Sequence, residues 1–383
     1  MPETTENATK DLLGAPLERE EYLTQQLITY LGNKRSFRRQ LTQALGQVQE
    51  EVGGRRLRTA DIFSGSGFVS RLTKAYSELV VANDMESYAN TISSCYLTND
   101  CDMPKEEVSR IISNLNDRAD AGESVNGFIT ELYAPERDDS IQPGERAFYT
   151  ADNARRLDLF ASQIAECDDE IRPFLLGPLL SAASVHANTG GVFKGFYKDK
   201  ATGIGRFGAS KGDALKRILA PICLNMPVSS AFESDHLVFQ EDAAILPQVM
   251  PEVDLCYLDP PYNQHPYGSN YFMLNLLTDY QRPTEISKVS GIPKAWNRSE
   301  YNVRTKAHSV FIELIRRLPS RFILISLNEE SFVNPPTLRA ELRDMGEVSE
   351  IVMQYNTYRA SRNLHSRSIH VNEHLLLLDR KVS

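Results

Sequence analysis

The first hundred residues carry apolar positions whose spacing changes from a helical period to a strand period and back. Gly53-Gly54 stands where the second helical stretch is expected to end. The predicted elements are, in order, helices over 18–30 and 36–52, a strand over 57–63, a turn over 64–67, a helix over 68–76 and a strand over 79–83. A strand, a glycine turn, a helix and a second strand in this order are typical of the opening of a doubly wound α/β sheet.

Strand signals then stop, and they return only in the last part of the chain. Between about 99 and 237 the period is mostly helical, with Gly- and Lys-rich interruptions. We therefore expect a Rossmann-like α/β sheet built from 18–98 and 238–383, a mostly helical inserted subdomain over 99–237, and a disordered tail over 1–17. The later strands are expected over 237–240, 253–258, 321–326, 350–355 and 373–378.

Composition places the 383-residue chain among ordinary folded proteins, with 41% hydrophobic and 24% charged residues. No apolar run approaches the roughly 20 residues that span a bilayer, and residues 1–17 lack the apolar centre of a signal peptide. We expect a cytoplasmic protein without a membrane segment.

The formal net charge of −9 argues against general affinity for nucleic acid. Basic clusters over 34–39, 55–58 and 355–367 are either solvated faces or contacts for phosphate groups.

No metal site is expected. The five cysteines form no CxxC pair and no spacing typical of zinc sites, so free thiols are expected. His370 and His374 resemble a ligand pair, but both fall in a predicted strand, where they would lie about 13 Å apart. That separation is too large for one ion.

The turn after the first predicted strand has the composition of a ligand-binding loop. Asp61-Ile62-Phe63-Ser64-Gly65-Ser66-Gly67 places two glycines where the backbone can approach a ligand without an intervening side chain. Asp84 ends the next strand, where a carboxylate can accept hydrogen bonds from both hydroxyls of a ribose. Ser70 stands where a dinucleotide fingerprint has its last glycine, so another adenosyl ligand is favoured. The alternative is a tight turn beneath a helix.

A second motif directly follows the buried strand Leu255–Leu258. It reads Asp259-Pro260-Pro261-Tyr262, and its prolines fix φ and stiffen the loop at the carboxyl edge of the sheet. A carboxylate and a backbone carbonyl that accept both protons of an aromatic amine favour the localised lone pair that nucleophilic attack requires. Stacking on Tyr262 would contribute about 1–3 kcal/mol for a base that has flipped out of a duplex. The alternative is a proline-rich turn with an exposed acid.

These motifs, in this order, resemble the Dam-like class of DPPY adenine DNA methyltransferases, and within it the branch that includes the FokI-type modification enzymes. Tyr30-Leu31-Gly32-Asn33-Lys34 is similar to the N-terminal cofactor motif of the class. Glu241-Asp242 falls where the class has an acid that contacts the adenine of the cofactor, and 267–271 resembles a segment that walls the cofactor pocket. Weaker similarities to the branch cover 145–154, 296–302, 326–328 and 358–363.

The resemblance implies a Rossmann-like, S-adenosylmethionine-dependent methyltransferase that modifies the exocyclic amino group (N6) of adenine in DNA. It also implies the modification component of a restriction–modification system. The catalytic loop would be Asp259, Pro260, Pro261 and Tyr262. The cofactor-binding residues that the resemblance implies are Tyr30, Asn33, Lys34, Asp61, Phe63, Ser64, Gly65, Gly67, Asp84, Met85, Asp242, Ala243, Asp259 and Asn270.

Double-stranded DNA is the partner that the resemblance implies, with target recognition in the insertion. The segment 355–367 is the better candidate for DNA contact, and a solvated hairpin tip is the alternative. A monomer is expected, acting separately from a cognate restriction endonuclease. The DNA-contacting candidates are Tyr355, Tyr358, Arg359, Arg362 and Asn363, with Asn188, Lys194, Lys198, Lys200 and Arg206 in insertion loops that can also face DNA.

Other functions stay open from the residues alone. The same chemistry can act on cytosine amino groups in DNA or on adenine in RNA. A DNA-binding protein without catalysis is the alternative from another class, and intact Asp259, Tyr262, Asp84 and Lys34 argue against it. An endonuclease is disfavoured because the sequence shows no convincing acidic metal cluster.

Overall fold

The computed structural model describes residues 18–209, 212, 214–261, 264, 266–356 and 370–380, with the backbone alone at 354–356 and 370–371. Seven strands are present in this part of the chain: β1 (Leu57–Asp61), β2 (Ser77–Asn83), β3 (Asp235–Phe239), β4 (Val253–Leu258), β5 (Ser320–Asn328), β6 (Glu347–Asn356) and β7 (His370–Asp379). Each expected strand is therefore found, with ends shifted by a few residues.

The strands form one sheet in the order β3-β2-β1-β4-β5-β7-β6. The first five are parallel, whereas β7 lies antiparallel between β5 and β6. The expected Rossmann-like α/β fold is thus confirmed, but the sheet is mixed rather than wholly of the parallel type. An antiparallel addition at one edge of a parallel sheet is common in doubly wound folds.

Helices cover both faces of this sheet. Three short 3₁₀ turns, over Lys34–Phe37, Leu246–Gln248 and Glu300–Asn302, accompany them. The α-helices of the described residues are α1 (Glu20–Thr24), α2 (Arg38–Glu51), α3 (Phe68–Lys74), α4 (Ser87–Leu97), α5 (Lys105–Asp120), α6 (Phe128–Tyr133), α7 (Ala151–Ala165), α8 (Arg172–His186), α9 (Leu215–Leu219), α10 (Tyr267–Asn270), α11 (Phe272–Asp279), α12 (Ala307–Arg317) and α13 (Pro335–Arg343).

The first predicted helix is much shorter than expected. It was predicted over 18–30, but α1 ends at Thr24. Beyond it, backbone N–H groups bond to side chains from distant elements: Thr29 donates to the Ser184 hydroxyl at 2.9 Å, and Leu31 donates to the Tyr271 hydroxyl at 2.8 Å. These bonds replace the helical ladder and carry the chain toward the carboxyl edge of the sheet.

The second helix ends where the glycine pair predicts. Gly53 and Gly54 follow α2 with φ of +82° and +78°, a conformation that other residues rarely adopt. The chain then enters β1, so the stop signal sets the start of the first strand of the sheet.

The two faces of the sheet have separate apolar clusters. Leu255 and Tyr257 of β4 point into a large cluster that contains residues from α1 to α8 and from α11. Cys256 and Leu258 point into a second cluster with α12 and α13. Because the inserted helices α5 to α8 share the first cluster with α4 and α11, they pack directly onto the sheet domain. The boundaries of an inserted subdomain at 99 and 237 stay a prediction.

Helices long and apolar enough to cross a membrane are absent from the described residues. Within the same ranges, no group of three or more His, Cys, Asp or Glu side chains is placed to hold a metal ion. His374 lies 2.7 Å from Glu350 on the neighbouring strand β6. The five cysteines are free.

A buried carboxylate joins two of the inserted helices to the chain between β4 and β5. Asp158 of α7 is 0% exposed. Its two oxygens accept from the N–H of Ile129 at 3.1 Å, from the N–H and hydroxyl of Thr130, each at 2.7 Å, and from the Tyr280 hydroxyl at 3.0 Å. One side chain thus caps α6 and fixes the residue after α11.

We expect Asp158→Ala to lower the free energy of unfolding by about 3 kcal/mol, because buried N–H groups of α6 lose their acceptor. Urea unfolding followed by circular dichroism measures the change. Asp169→Ala is the control, since that side chain is 89% exposed, and it should change stability by less than about 0.5 kcal/mol. Equal stability of the two variants would contradict the capping role of Asp158.

Candidate active site at the carboxyl edge of the sheet

A cavity opens where the carboxyl ends of β1, β2, β3 and β4 meet. From β1 the chain adds β2 and β3 on one side, and it then returns to add β4 and β5 on the other side of β1. Doubly wound folds bind their ligands at the point between β1 and β4 where the strand order reverses in this way. The residues predicted for the site that line this cavity are Tyr30, Phe63, Asp84, Met85, Asp242, Ala243, Asp259 and Pro261.

The glycine turn after β1 is held by the acid that follows β2. One oxygen of Asp84 accepts from the Gly65 N–H at 2.9 Å, and the other accepts from the Glu86 N–H at 3.0 Å. Burial raises the pKa of Asp84 to about 6, although these bonds oppose the shift. The carboxylate still faces the cavity.

An aromatic wall closes the cavity on the side of the N-terminal segment. The Tyr30 ring stacks on Tyr267 and Tyr271 with centroid separations of 5.0 and 4.9 Å. Tyr267 donates to the Leu31 carbonyl at 3.2 Å, and Tyr271 accepts from the Leu31 N–H. Both hydroxyls therefore hold the backbone of one residue, Leu31, which ties the N-terminal segment to the chain after the proline loop.

Gly65 makes room for this wall. A Cβ atom at Gly65 would lie 2.6 Å from the Tyr30 hydroxyl oxygen and 2.8 Å from two ring carbons, and the residue has φ of +49°. The glycine required by the motif thus admits a neighbouring side chain of the same protein as well as a left-handed backbone.

The proline loop leaves β4 with Asp259 at its head. Its carboxylate is 3.2 Å from the Lys34 ammonium nitrogen, which lies 2.8 Å from Glu373 on β7. Burial lowers the pKa of Lys34, but the charges of Asp259 and Glu373 outweigh that effect and raise it well above its usual value. Burial raises the pKa of Asp259 to about 7, with Lys34 opposing the shift.

Some predicted site residues lie behind the cavity wall. Asp61 accepts from the N–H and hydroxyl of Ser70, which explains a serine at the position of the missing glycine: it caps α3 onto the end of β1. Asn33 caps the 3₁₀ turn that carries Lys34. Ser64, Gly67, Pro260 and Asn270 are also absent from the cavity lining, and Asn270 bonds through its carbonyl to the Phe193 N–H at 2.7 Å.

Sequence reasoning missed several residues of the cavity. Asn83 is 1% exposed and bonds to both backbone groups of Glu241 and to the Ile62 carbonyl, so it ties three strand ends together. Only its position at the end of β2 could have indicated this role. Glu86 also lines the cavity, and burial raises its pKa to about 7.

A segment after α11 forms the remaining wall. Asn297 donates to the Met85 carbonyl at 2.9 Å, and Tyr301 lies edge-on to Phe63 at a centroid separation of 5.2 Å. The Tyr301 hydroxyl is buried and has no hydrogen-bond partner among the described residues. The sequence has a weak family similarity over 296–302, but that similarity predicted no role for these residues.

Several predicted contacts with DNA fall outside the described residues. These are Tyr358, Arg359, Arg362 and Asn363, together with Tyr262 of the catalytic motif; for Tyr355 the backbone alone is described, in β6. Asn188 is 0% exposed and donates to the carbonyls of Ala147 and Arg206. The expectation that Asn188 can face DNA is therefore wrong, because the loop uses it as an internal clamp.

The chain is similar in sequence to known DNA methyltransferases. The sequence model of the D12 class N6 adenine-specific DNA methyltransferases matches residues 30–331. The type II methyltransferase M.NlaIII of Neisseria lactamica is 28% identical over 84% of this chain and 90% of its own length. M.CviAII of Paramecium bursaria Chlorella virus 1 is 26% identical over 87% and 93%. M.FokI of Planomicrobium okeanokoites is 23% identical over 84% of this chain and 48% of its own.

We expect Gly65→Ala to destabilise the protein more than Gly53→Ala does. Both residues have positive φ, but a Cβ at Gly53 meets nothing within 4 Å, whereas one at Gly65 collides with Tyr30. Gly53→Ala should cost about 1 kcal/mol from backbone strain alone, and Gly65→Ala about 2 kcal/mol or more. Thermal unfolding of both variants measures the difference, and equal losses would show that Tyr30 does not press on the turn.

Proposed function

The chain belongs to the D12 class N6 adenine-specific DNA methyltransferase family, and we propose that it transfers a methyl group from S-adenosylmethionine to N6 of adenine in double-stranded DNA. The observation that carries the proposal is the position of Asp259, at the head of the proline loop, in the wall of the same cavity as Asp84. Such a cavity can hold a nucleoside cofactor on one side and a flipped base on the other.

The residues of the cavity fit an adenosyl cofactor. We assign Asp84 to the ribose hydroxyls, Asp242 to the adenine amino group, Phe63 to one face of the purine, and the Tyr301 hydroxyl to a polar atom of the cofactor. The unpartnered Tyr301 hydroxyl supports this assignment, since a buried polar group without a partner is costly unless a ligand satisfies it. When bound, S-adenosylmethionine supplies an electrophilic methyl group on a sulfonium.

Asp259 prepares the amino group of the target base. Its carboxylate and the Pro260 carbonyl accept the two amino hydrogens, which localises the nitrogen lone pair for attack. The carboxylate must be ionised to accept, and a pKa of about 7 makes it a stronger acceptor than an ordinary aspartate. Tyr262 of the same motif would stack on the base. Much of the remaining rate comes from holding base and cofactor in line.

We assign the protein to the modification side of a restriction–modification system. The type II methyltransferases M.NlaIII and M.CviAII, which align over nearly their whole lengths, support this role. One chain supplies every residue assigned above, so we propose a monomer that acts separately from a cognate endonuclease. The DNA contacts proposed for 355–367 and for the loop lysines Lys194, Lys198 and Lys200 would then lie on this one chain.

We expect the protein, expressed in a host without adenine methylation, to place N6-methyladenine at one sequence motif of the host DNA. Asp259→Asn should reduce the modified fraction at least about 100-fold, because the amino group loses its charged acceptor. Sequencing that detects the methylated base directly measures both. Asp235→Asn, an exposed position at the start of β3, is the control and should match the wild type.

Methylation of cytosine would place the protein in another substrate class. DNA without any methylated base, from cells that contain the folded wild-type protein, would contradict the proposed function. Labelled-methyl transfer to RNA would then be the measurement that separates an RNA enzyme from a protein that binds DNA without catalysis.

A further inference from the structure

Four residues far apart in sequence meet behind the proline loop, and we call them the Lys34 cluster: Lys34, Asp259, Ser326 and Glu373. The Lys34 ammonium nitrogen is 3.2 Å from Asp259 and 2.8 Å from Glu373, and Ser326 donates to Glu373 at 2.6 Å. The side chains of Lys34 and Glu373 are 5% and 1% exposed, whereas Asp259 is 18% exposed. Among the carboxylates of the cluster, Asp259 is the one that reaches the cavity.

The register of the sheet brings Glu373 to this place. In the antiparallel pair of β5 and β7, Ser326 lies opposite Leu375, so Glu373 is its diagonal neighbour on the same face. Asp259 follows Leu258, which lies opposite Ile325 in the parallel pair of β4 and β5. Lys34 reaches the same point from the 3₁₀ turn capped by Asn33.

The charges of the cluster do not cancel. Two carboxylates surround one ammonium group, and the ammonium lies closer to Glu373 than to Asp259. A carboxylate that shares its cation with a second carboxylate keeps more of its basicity than one that is paired alone. Asp259 therefore has a fixed orientation and remains a strong hydrogen-bond acceptor toward the cavity.

We propose that Glu373 is a positioning residue for methyl transfer: it holds the Lys34 ammonium group behind Asp259, so that Lys34 orients the Asp259 carboxylate without neutralising it. This inference rests on the proposed function. It gives Lys34 a place on the target-base side of the reaction, whereas the family resemblance placed Lys34 among the cofactor-binding residues.

The two charged partners act on Asp259 in opposite directions. Lys34 favours the ionised carboxylate and Glu373 disfavours it; Asp61, Tyr257 and Tyr267 also face Asp259 and remain in every variant below. Removing the charge of Glu373 therefore lowers the pKa of Asp259, because the Lys34 ammonium group then pairs with Asp259 alone. Removing Lys34 leaves the two carboxylates facing each other, which raises the pKa of Asp259.

The test is the pH profile of single-turnover methyl transfer to duplex DNA that contains the recognised motif. The wild-type rate should fall as pH drops through about 7, where Asp259 becomes protonated. Glu373→Gln should move this acid limb down by about one pH unit and lower the plateau rate about tenfold, since Asp259 becomes a weaker acceptor. Lys34→Met should move the limb up. The Kd of Glu373→Gln for S-adenosylmethionine should stay within about twofold of the wild type, because Glu373 lies outside the cavity lining.

Glu350→Gln is the matched control. Glu350 is a part-buried carboxylate on β6 that pairs with His374 and Arg339, on the face of the sheet opposite Glu373. It should leave the acid limb and the plateau rate unchanged. Ser326→Ala removes the 2.6 Å bond to Glu373 and should shift the limb in the same direction as Glu373→Gln by a smaller amount.

A folded Glu373→Gln protein with the wild-type rate and the wild-type acid limb would overturn the inference, because Glu373 would then serve only to neutralise Lys34 for folding. If Glu373→Gln does not fold, Ser326→Ala decides: an unchanged profile overturns the inference and a downward shift supports it. Failure of the wild-type protein to methylate any DNA would instead contradict the proposed function itself, so the two failures are distinguishable.

Discussion

The buried ammonium group of Lys34 is the constraint on which the site depends. A charge with 5% of its side chain exposed costs several kcal/mol unless it is paired, and its partners here come from the end of β4 and from β7. The pairing therefore joins the N-terminal segment, the proline loop and the antiparallel edge of the sheet at one point. Interactions between residues that are close in sequence would not fix the relative positions of these three segments.

The aromatic wall and the strand ends complete the cavity around that point. Tyr267 and Tyr271 hold the backbone N–H and carbonyl of Leu31, so the residues before Lys34 cannot move independently of the chain after the proline loop. Asn83 ties the ends of β1, β2 and β3, and Asp84 fixes the glycine turn. The polar groups that face the cavity are thus held by hydrogen bonds before any ligand arrives, which lowers the cost of ordering them on binding.

Much of the fold and part of the site were predictable from the sequence. Strand ends of a doubly wound sheet converge, so Asp84 and Asp259 could be placed at one edge from their positions after β2 and β4. The roles of Glu373 and Asn83 were not predictable, because they depend on the order and register of strands that are far apart in sequence. The length of α1 was predicted wrongly, since the bonds that end it come from Ser184 and Tyr271, which no local pattern reveals.

The most direct test of the account is a crystal structure of the protein with S-adenosylhomocysteine, the product that methyl transfer leaves. We expect the purine against Phe63, the ribose hydroxyls on Asp84, and the Lys34 ammonium group still between Asp259 and Glu373. A structure in which Lys34 has turned away from Asp259 to bind the amino-acid end of the product would contradict the account, as would a purine bound outside this cavity.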